Sequence, residues 1–229
     1  TWTDLSSNNN TDSWSAGRNE TVYYRVIDKA GNISEEKSTV IKIDKTNPSQ
    51  SFSVASSTSG SNGWYKALSI KTTLSDSQSG VSSSKYCITT GSSCTPSTAA
   101  TLSNNTFTIA LGTNASAQKI CVSTTDVAGN TSDVSCTSAY KVDKNAPTLT
   151  ISSSVFQNNI TVSLATSDAG SGVGTYYYSR DGGKNFTSST SNSYTFTGLS
   201  SGTYSLVSKV LDKAGNMSST SSASQSIAG

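Results

Sequence analysis

The 229-residue sequence contains no histidine, three prolines and one methionine, and charged residues make up only 13% of it. Histidine is the commonest general base, so its absence excludes Ser-His-Asp and Cys-His nucleophilic chemistry. It also removes a ligand that most zinc sites use. We therefore expect no enzymatic activity, no catalytic residues, no metal and no cofactor.

Charge of either sign is sparse and nearly balanced, with 16 Lys and Arg against 14 Asp and Glu, for a net charge of +2. The basic residues form no cluster, so the electrostatic footprint of nucleic-acid binding is missing. No apolar run approaches the ~20 residues of a membrane-spanning helix. No signal peptide opens the chain either, and we expect an internal piece of a longer protein whose partners include its neighbouring domains.

The bulk of the sequence is Ser, Thr, Asn and Gly alternating with Val, Ile, Leu and Tyr. Residues 68–74 and 160–166 alternate cleanly between apolar and polar, which is typical of half-buried strands. No stretch shows a sustained apolar stripe of helical period. The pattern predicts an all-β protein.

A five-residue motif, Asp-x-Ala-Gly-Asn, occurs three times at spacings of 98 and 86 residues. This period exceeds that of a solenoid repeat and matches an immunoglobulin-like sandwich of about 100 residues. We interpret the motif as a structural turn in which Asp accepts backbone N–H groups, Gly supplies a positive φ and Asn tolerates one. The turn residues are Asp28, Gly31 and Asn32, then Asp126, Gly129 and Asn130, and then Asp212, Gly215 and Asn216.

The domain boundaries are marked by two similar linkers, residues 44–48 and 143–147, each ending in proline. They predict a truncated unit one (residues 1–45) and two complete tandem sandwiches, unit two (46–145) and unit three (146–229). Such short linkers restrict bending, so we expect units two and three to lie end to end. Unit one carries only closing strands, so upstream residues, a partner chain or packing on unit two should cover its apolar face.

All four cysteines lie in unit two. The midpoint of Cys121 and Cys136 falls in the 126–130 turn, and that of Cys87 and Cys94 falls in a Thr-Gly-Ser segment. Residues opposite each other across a hairpin are within disulfide reach, which favours these two pairs and an oxidising compartment. A Cys87–Cys121 bridge, free thiols and a metal site are the alternatives, and no Cys-x-x-Cys spacing supports zinc.

Several motifs of unit two together resemble those of bacterial Ig-like repeats. They are Gly-Trp-Tyr at 63–65, an Asp…Ser-Gly-Val turn at 76–81, the 126–130 motif and Val-Asp-Lys-Asn-Ala-Pro at 142–147. Unit three departs at residues 155–159, where Gly-Trp-Tyr is missing. The resemblance implies tandem immunoglobulin-like β-sandwiches, a location at the cell surface or in secreted protein, and a spacer, stalk or adhesion role without catalytic residues.

Two other functions remain open, a binding module for a host protein or glycan, and an accessory repeat of an extracellular hydrolase. Aromatic residues could form a sugar-stacking platform, but alternate tyrosines of a strand face opposite sides, which favours core packing. The aromatic candidates are Trp2, Trp14, Trp64 and Tyr176 to Tyr178.

Calcium between the domains is a further alternative, suggested by the linker acids Asp44 and Asp143 and the turn acids Asp76 and Asp168. Calcium takes six to eight oxygen ligands, usually from several carboxylates. The sequence offers what reads as a single acid at each junction, so we expect no metal site.

Overall fold

A computed structural model describes residues 2–4 and 17–229, and all the regular structure in these ranges is β-strand. This agrees with the all-β prediction. Among the same residues there is no helix with the length and apolar character needed to span a membrane.

Unit one consists of one antiparallel hairpin, with strands β1 (Arg18–Tyr24) and β2 (Lys37–Ile43) paired along their full length. Most of its apolar side chains are exposed, including Tyr23 at 57%, Val26 at 67% and Val40 at 57%, while Val22, Ile41 and Ile43 are half-buried. Packing on unit two therefore leaves most of these side chains uncovered. Completion by upstream residues or by a partner chain stays a prediction.

Unit two is a sandwich of two sheets. One sheet contains β3, β4, β7 and β10, with β7 and β10 both paired to β4, and the other has the order β6-β5-β8-β9. The strands are β3 (Ser49–Ser59), β4 (Trp64–Ser75), β5 (Val81–Thr89), β6 (Thr98–Ala99), β7 (Thr106–Ala110), β8 (Lys119–Asp126), β9 (Ser135–Cys136) and β10 (Lys141–Val142).

The core of unit two lies between its sheets, because both contribute buried residues to one cluster. Strand β4 supplies Leu68, Ile70 and Leu74, while β8 supplies Ile120 and Val122. The residues that alternate with this face, Ser69, Lys71 and Thr73, are exposed or half-buried, as the sequence alternation predicts, and Thr72 is buried on the same face as the core residues.

Unit three repeats the arrangement with sheets β11-β12-β15 and β14-β13-β16-β17. Its separate core includes Ile160, Val162 and Leu164 from one sheet, with Tyr178 and Leu206 from the other. The strands are β11 (Thr148–Phe156), β12 (Asn159–Ser167), β13 (Val173–Ser179), β14 (Thr187–Ser189), β15 (Ser193–Phe196), β16 (Gly202–Asp212) and β17 (Ser221–Ile227).

Units two and three meet through polar contacts between the β3–β4 turn and the start of β4 in unit two and the third Asp-x-Ala-Gly-Asn turn in unit three. Ser61 N donates to Ala214 O at 2.8 Å, and the half-buried Lys66 donates from Nζ to Gly215 O at 2.7 Å. The linker between the units packs closely as well, since Asp143 is fully buried and its N–H donates to Tyr65 O at 2.9 Å.

Candidate metal centre at the domain junctions

The Asp-x-Ala-Gly-Asn motif forms a turn that its own side chains close. In unit two, Asn130 donates from its backbone N to Asp126 Oδ1 and from Nδ2 to Asp126 Oδ2, both at 2.8 Å. Gly129 has a φ of 97°, a backbone conformation that residues with a side chain rarely adopt. The same pair of bonds joins Asp28 to Asn32 and Asp212 to Asn216.

The second and third turns also hold the linker that leads into their unit. Asn130 Nδ2 donates to the carbonyl oxygen of Asp44 at 3.2 Å, and Asn216 Nδ2 donates to that of Asp143 at 3.1 Å. The turn thus performs a second task beyond reversing the chain, which local turn chemistry alone does not predict.

The side chain of each linker aspartate accepts a hydrogen bond from the Ser-Gly-Val turn of the unit that follows the linker. This turn comes after β4 in unit two and after β12 in unit three. Ser79 N donates to Asp44 Oδ2 at 2.9 Å, and Ser171 N donates to Asp143 Oδ2 at 2.7 Å. Burial alone would raise the pKa of Asp143, but the hydrogen bonds from Ser171 and Asn145 outweigh it and hold that pKa below its usual range.

The Ser-Gly-Val turns each contribute a further aspartate. Asp76 Oδ2 accepts the N–H of Gly80 at 2.7 Å, and Asp168 Oδ2 accepts the N–H of Gly172 at 2.6 Å. In both residues the other oxygen, Oδ1, is buried and has no hydrogen-bond partner.

Three aspartates therefore converge at the entrance to each complete unit, with carboxylate oxygens within 4.8 Å of one another. We call these groups junction cluster one and junction cluster two. Junction cluster one is Asp44, Asp76 and Asp126, and junction cluster two is Asp143, Asp168 and Asp212.

The expectation of a single acid at each junction was thus wrong. That expectation considered only acids that lie next to one another in the sequence. The fold of each sandwich brings together three segments that each carry one aspartate: the linker, the turn after the second strand of the unit and the motif turn. The signal that could have revealed the clusters was the recurrence of all three aspartates in both units, at offsets of 99, 92 and 86 residues.

Each cluster combines buried with half-buried carboxyl groups. Asp126, Asp143 and Asp212 are 1%, 0% and 3% exposed, respectively. Burial raises the pKa of Asp168, and the negative charges of Asp143 and Asp212 raise it further. Carboxylate groups arranged in this way are the ligands that a hard divalent cation prefers.

The cysteines are joined as the sequence predicts, Cys87 to Cys94 and Cys121 to Cys136. The second bridge links directly opposite residues of β8 and β9, with Cα atoms 4.0 Å apart. The hairpin register assumed for the first bridge was wrong. Tyr86 of β5 lies opposite Thr98 of β6, so Cys94 falls in the loop before β6 and not directly opposite Cys87. The Cα atoms of the first bridge are accordingly 6.3 Å apart.

The aromatic candidates do not form one platform. Trp64 lies in unit two with Lys141 Nζ 5.8 Å from its ring centroid, while Tyr178 is fully buried in unit three. Trp2 belongs to unit one, and the Arg25 guanidinium lies 4.3 Å from its ring centroid. Trp14 lies outside the described residues.

A family model described as a bacterial Ig-like domain matches residues 152–227, which is most of unit three. No curated protein sequence matches the chain.

A comparison with solved structures finds three matches at low sequence identity and with TM-scores below 0.5. Fibronectin(III)-like modules of Clostridium thermocellum CbhA share 16% identity and a TM-score of 0.33, over 77% of this chain and 94% of theirs. Domains from titin share 13% and a TM-score of 0.42, over 91% and 74%. The FN1–FN3 domains of chicken CNTN1 share 14% and a TM-score of 0.34, over 91% and 75%.

The sandwich architecture, with two complete units in tandem, and the family match lead to one conclusion. The chain is an all-β tandem of immunoglobulin-like sandwiches, and its residues 152–227 are similar to a bacterial Ig-like domain.

Proposed function

We propose that this chain is a non-enzymatic spacer, a stalk segment of a bacterial cell-surface or secreted protein that holds neighbouring domains at a fixed distance. The observation that carries the proposal is the junction between units two and three. Asp143 serves both units at once, because its N–H bonds to Tyr65 of unit two and its carboxylate accepts the N–H of Ser171 in unit three.

A second set of contacts supports the same rigid joint. Three donors of unit two reach carbonyl oxygens of the 212–216 turn, namely Ser61 N, Asn62 Nδ2 and Lys66 Nζ, at 2.8, 2.9 and 2.7 Å. Two units joined by a short linker with a buried first residue, Asp143, and by a contacting turn resist bending, which is what a spacer requires.

An extracellular location is supported by the two disulfides, since such bonds persist in oxidising compartments. It is also supported by the similarity of unit three to a bacterial Ig-like domain. Support of adhesion is the role that we assign to the stalk. The scattered aromatic residues favour it over direct glycan binding, because Trp64 of unit two packs beside Lys141 whereas Tyr178 is buried in the core of unit three.

Small-angle X-ray scattering of the full chain tests the proposal. The expected result is an elongated particle in which units two and three form separate lobes along one axis. A compact particle with the two sandwiches side by side would overturn the stalk geometry and, with it, the preference for a spacer over a binding module.

A further inference from the structure

We propose that the four cysteines of unit two form one thiol–disulfide exchange site. Its substrate is an external dithiol small enough to reach half-buried sulfur atoms. The reaction converts the two resting bridges into a single Cys87–Cys121 bridge and leaves Cys94 and Cys136 as thiols. This inference goes beyond the spacer role and does not depend on it.

Three of the cysteines lie in one row across three neighbouring strands. Cys87 of β5 is directly opposite Cys121 of β8, and Cys121 is directly opposite Cys136 of β9. The neighbours of Cys121 on β8, Ile120 and Val122, belong to the core, so Cys121 faces away from the core. The row therefore crosses the outer face of the sheet.

The fourth cysteine brings the two resting bridges into contact. Cys94 reaches the row from the loop before β6, and the sulfur atoms of Cys87, Cys94 and Cys121 lie within 4.8 Å of one another. Opposite residues of antiparallel strands have Cα atoms about 4.5–5.5 Å apart, which is inside the range that a disulfide spans. A bond between Cys87 and Cys121 therefore needs no movement of the strands.

The order of the sulfur atoms across the sheet suits the exchange reaction. A thiolate attacks one sulfur of a disulfide and displaces the other from the opposite side, so the three sulfur atoms must lie roughly in line. The strand order β5-β8-β9 places Cys87, Cys121 and Cys136 in the sequence of nucleophile, central sulfur and leaving sulfur. A thiolate at Cys87 is thus positioned to open the Cys121–Cys136 bridge.

Burial determines which bridge an external thiol opens first. Both residues of the Cys87–Cys94 bridge are half-buried, whereas Cys121 of the other bridge is 0% exposed. The external thiolate attacks Sγ of Cys94, which forms a mixed disulfide and releases Cys87 as a thiolate. The buried Cys121 is then reached from within the sheet.

Two further steps complete the reaction and balance its electrons. The Cys87 thiolate forms a bond to Sγ of Cys121, the Cys121–Cys136 bond breaks, and Cys136 leaves as a thiolate that takes a proton from water. The second thiol of the dithiol then displaces Cys94 from the mixed disulfide. The dithiol is oxidised to a cyclic disulfide, and the chain gains two electrons and two thiols.

The charged side chains beside the row favour the reactive form of Cys87. Lys85 and Lys119 lie two residues from Cys87 and Cys121, on the same outer face of the sheet. The flanking strands β6 and β9 contain only uncharged residues. Positive charge near a cysteine stabilises its thiolate, which is the nucleophile.

The exchange moves the crosslink within unit two. In the resting chain one bridge holds the loop before β6 and the other holds the short strand β9. In the product the only bridge joins β5 to β8, which already pair along most of their length. The loop and β9 are then held by non-covalent contacts alone.

Cys94→Ser tests the central step without any reductant, because it leaves Cys87 as a free thiol beside the Cys121–Cys136 bridge. The full-length variant is incubated, its free thiols are alkylated and the bridges are mapped by mass spectrometry. We expect some chains to carry a Cys87–Cys121 bridge with alkylated Cys136. Alkylation of Cys87 alone, with Cys121–Cys136 intact in all chains, would overturn the proposal.

The matched control combines Cys87→Ser, Cys94→Ser and Ser83→Cys. It keeps one free thiol on β5 but moves it four residues along the strand, about 13 Å away from the row. Only the introduced thiol should be alkylated, and Cys121–Cys136 should stay intact. Alkylation of Cys136 in the control to the same extent as in Cys94→Ser would overturn the role of the row.

Partial reduction of the wild-type chain gives a second readout that needs no variant. A limiting amount of dithiothreitol is added to the folded chain, and samples are alkylated at successive times. The first species with one bridge should contain Cys87–Cys121, with Cys94 and Cys136 alkylated. Species that retain only a resting bridge, without any Cys87–Cys121, would overturn the proposal.

Discussion

The ammonium group of Lys66 in unit two donates a 2.7 Å hydrogen bond to the backbone carbonyl of Gly215 in unit three, 149 residues later. The bond joins one sandwich to the next at the turn whose first residue, Asp212, belongs to junction cluster two. It makes the geometry of the joint sensitive to a side chain on β4.

Lys66→Ala should loosen the joint without unfolding either sandwich, because it removes a charge-assisted bond between the units. Scattering of the full chain should then show a broader range of inter-unit angles and a smaller mean dimension. Lys71→Ala is the control, since Lys71 lies on the same strand but is exposed. An unchanged scattering curve for Lys66→Ala would show that the other contacts hold the joint alone.

Gly170→Ala should destabilise unit three by about 1–3 kcal/mol, the usual cost of overpacking. An added Cβ would overlap the carboxyl group of the buried Asp143. Urea unfolding measures the loss. Gly112→Ala is the control, because a Cβ there meets no atom within 4 Å, and it should be near neutral. Equal stability of the two variants would contradict the tight packing at this junction.

The two disulfides should differ in their contribution to stability. Replacing Cys121 and Cys136 together by Ala opens a loop of 15 residues and should cost about 3 kcal/mol, less if the hairpin forms without the bridge. Replacing Cys87 and Cys94 opens a loop of only 7 residues and should cost less. Urea unfolding of both variants tests the order.

Peptide mapping under non-reducing conditions checks the pairing itself. We expect the pairs Cys87–Cys94 and Cys121–Cys136. The competing bridge is Cys87–Cys121, because these two residues lie directly opposite each other on β5 and β8. Its presence in the wild-type chain would contradict both assigned pairs.

Tyr178 should make unit three sensitive to alkaline pH. Its hydroxyl donates to Ser191 O at 2.7 Å, and burial raises its pKa to about 12. A group whose pKa is raised on folding contributes stability that is complete below its unfolded pKa of about 10 and is lost as the pH rises towards 12. Stability measured by urea unfolding should therefore fall over that interval.

Tyr178→Phe provides the comparison for this prediction. The variant should be less stable at neutral pH by about 1 kcal/mol, for the lost hydrogen bond, and its stability should fall less between pH 10 and 12. The difference in phenolate absorbance between the two proteins should titrate near pH 12. A titration near pH 10 would contradict the raised pKa.

Much of the fold could be predicted from local patterns. The alternation in residues 68–74 predicted which side chains of β4 face the core, and Leu68, Ile70 and Leu74 are buried as a result. The strand period of two places every second residue on the same face, so this information is contained in neighbouring residues. The β-sandwich class and the closed Asp-x-Ala-Gly-Asn turn depend on the same short-range rules.

Register was harder to predict than pairing. The bridge between Cys121 and Cys136 followed from a tight hairpin centred on the motif turn, where the chain reverses with a defined length. In the loop between β5 and β6 the register differs from the one that the cysteines suggested. Tyr86 pairs with Thr98, so this register places Ser97, three positions after Cys94, opposite Cys87. The bridge spans a loop whose shape the sequence did not specify.

The sequence by itself determined the strands, the motif turns, the length of each unit and the recurrence of the aspartates in units two and three. Only the tertiary structure decided that Asp143, Asp168 and Asp212 share one buried site, and that Lys66 reaches the turn of the next unit. The physical reason is separation along the chain. Each of these contacts joins segments that are tens of residues or, for Lys66 and Gly215, 149 residues apart. Their meeting depends on how two sheets close over a core and where the linker leaves it.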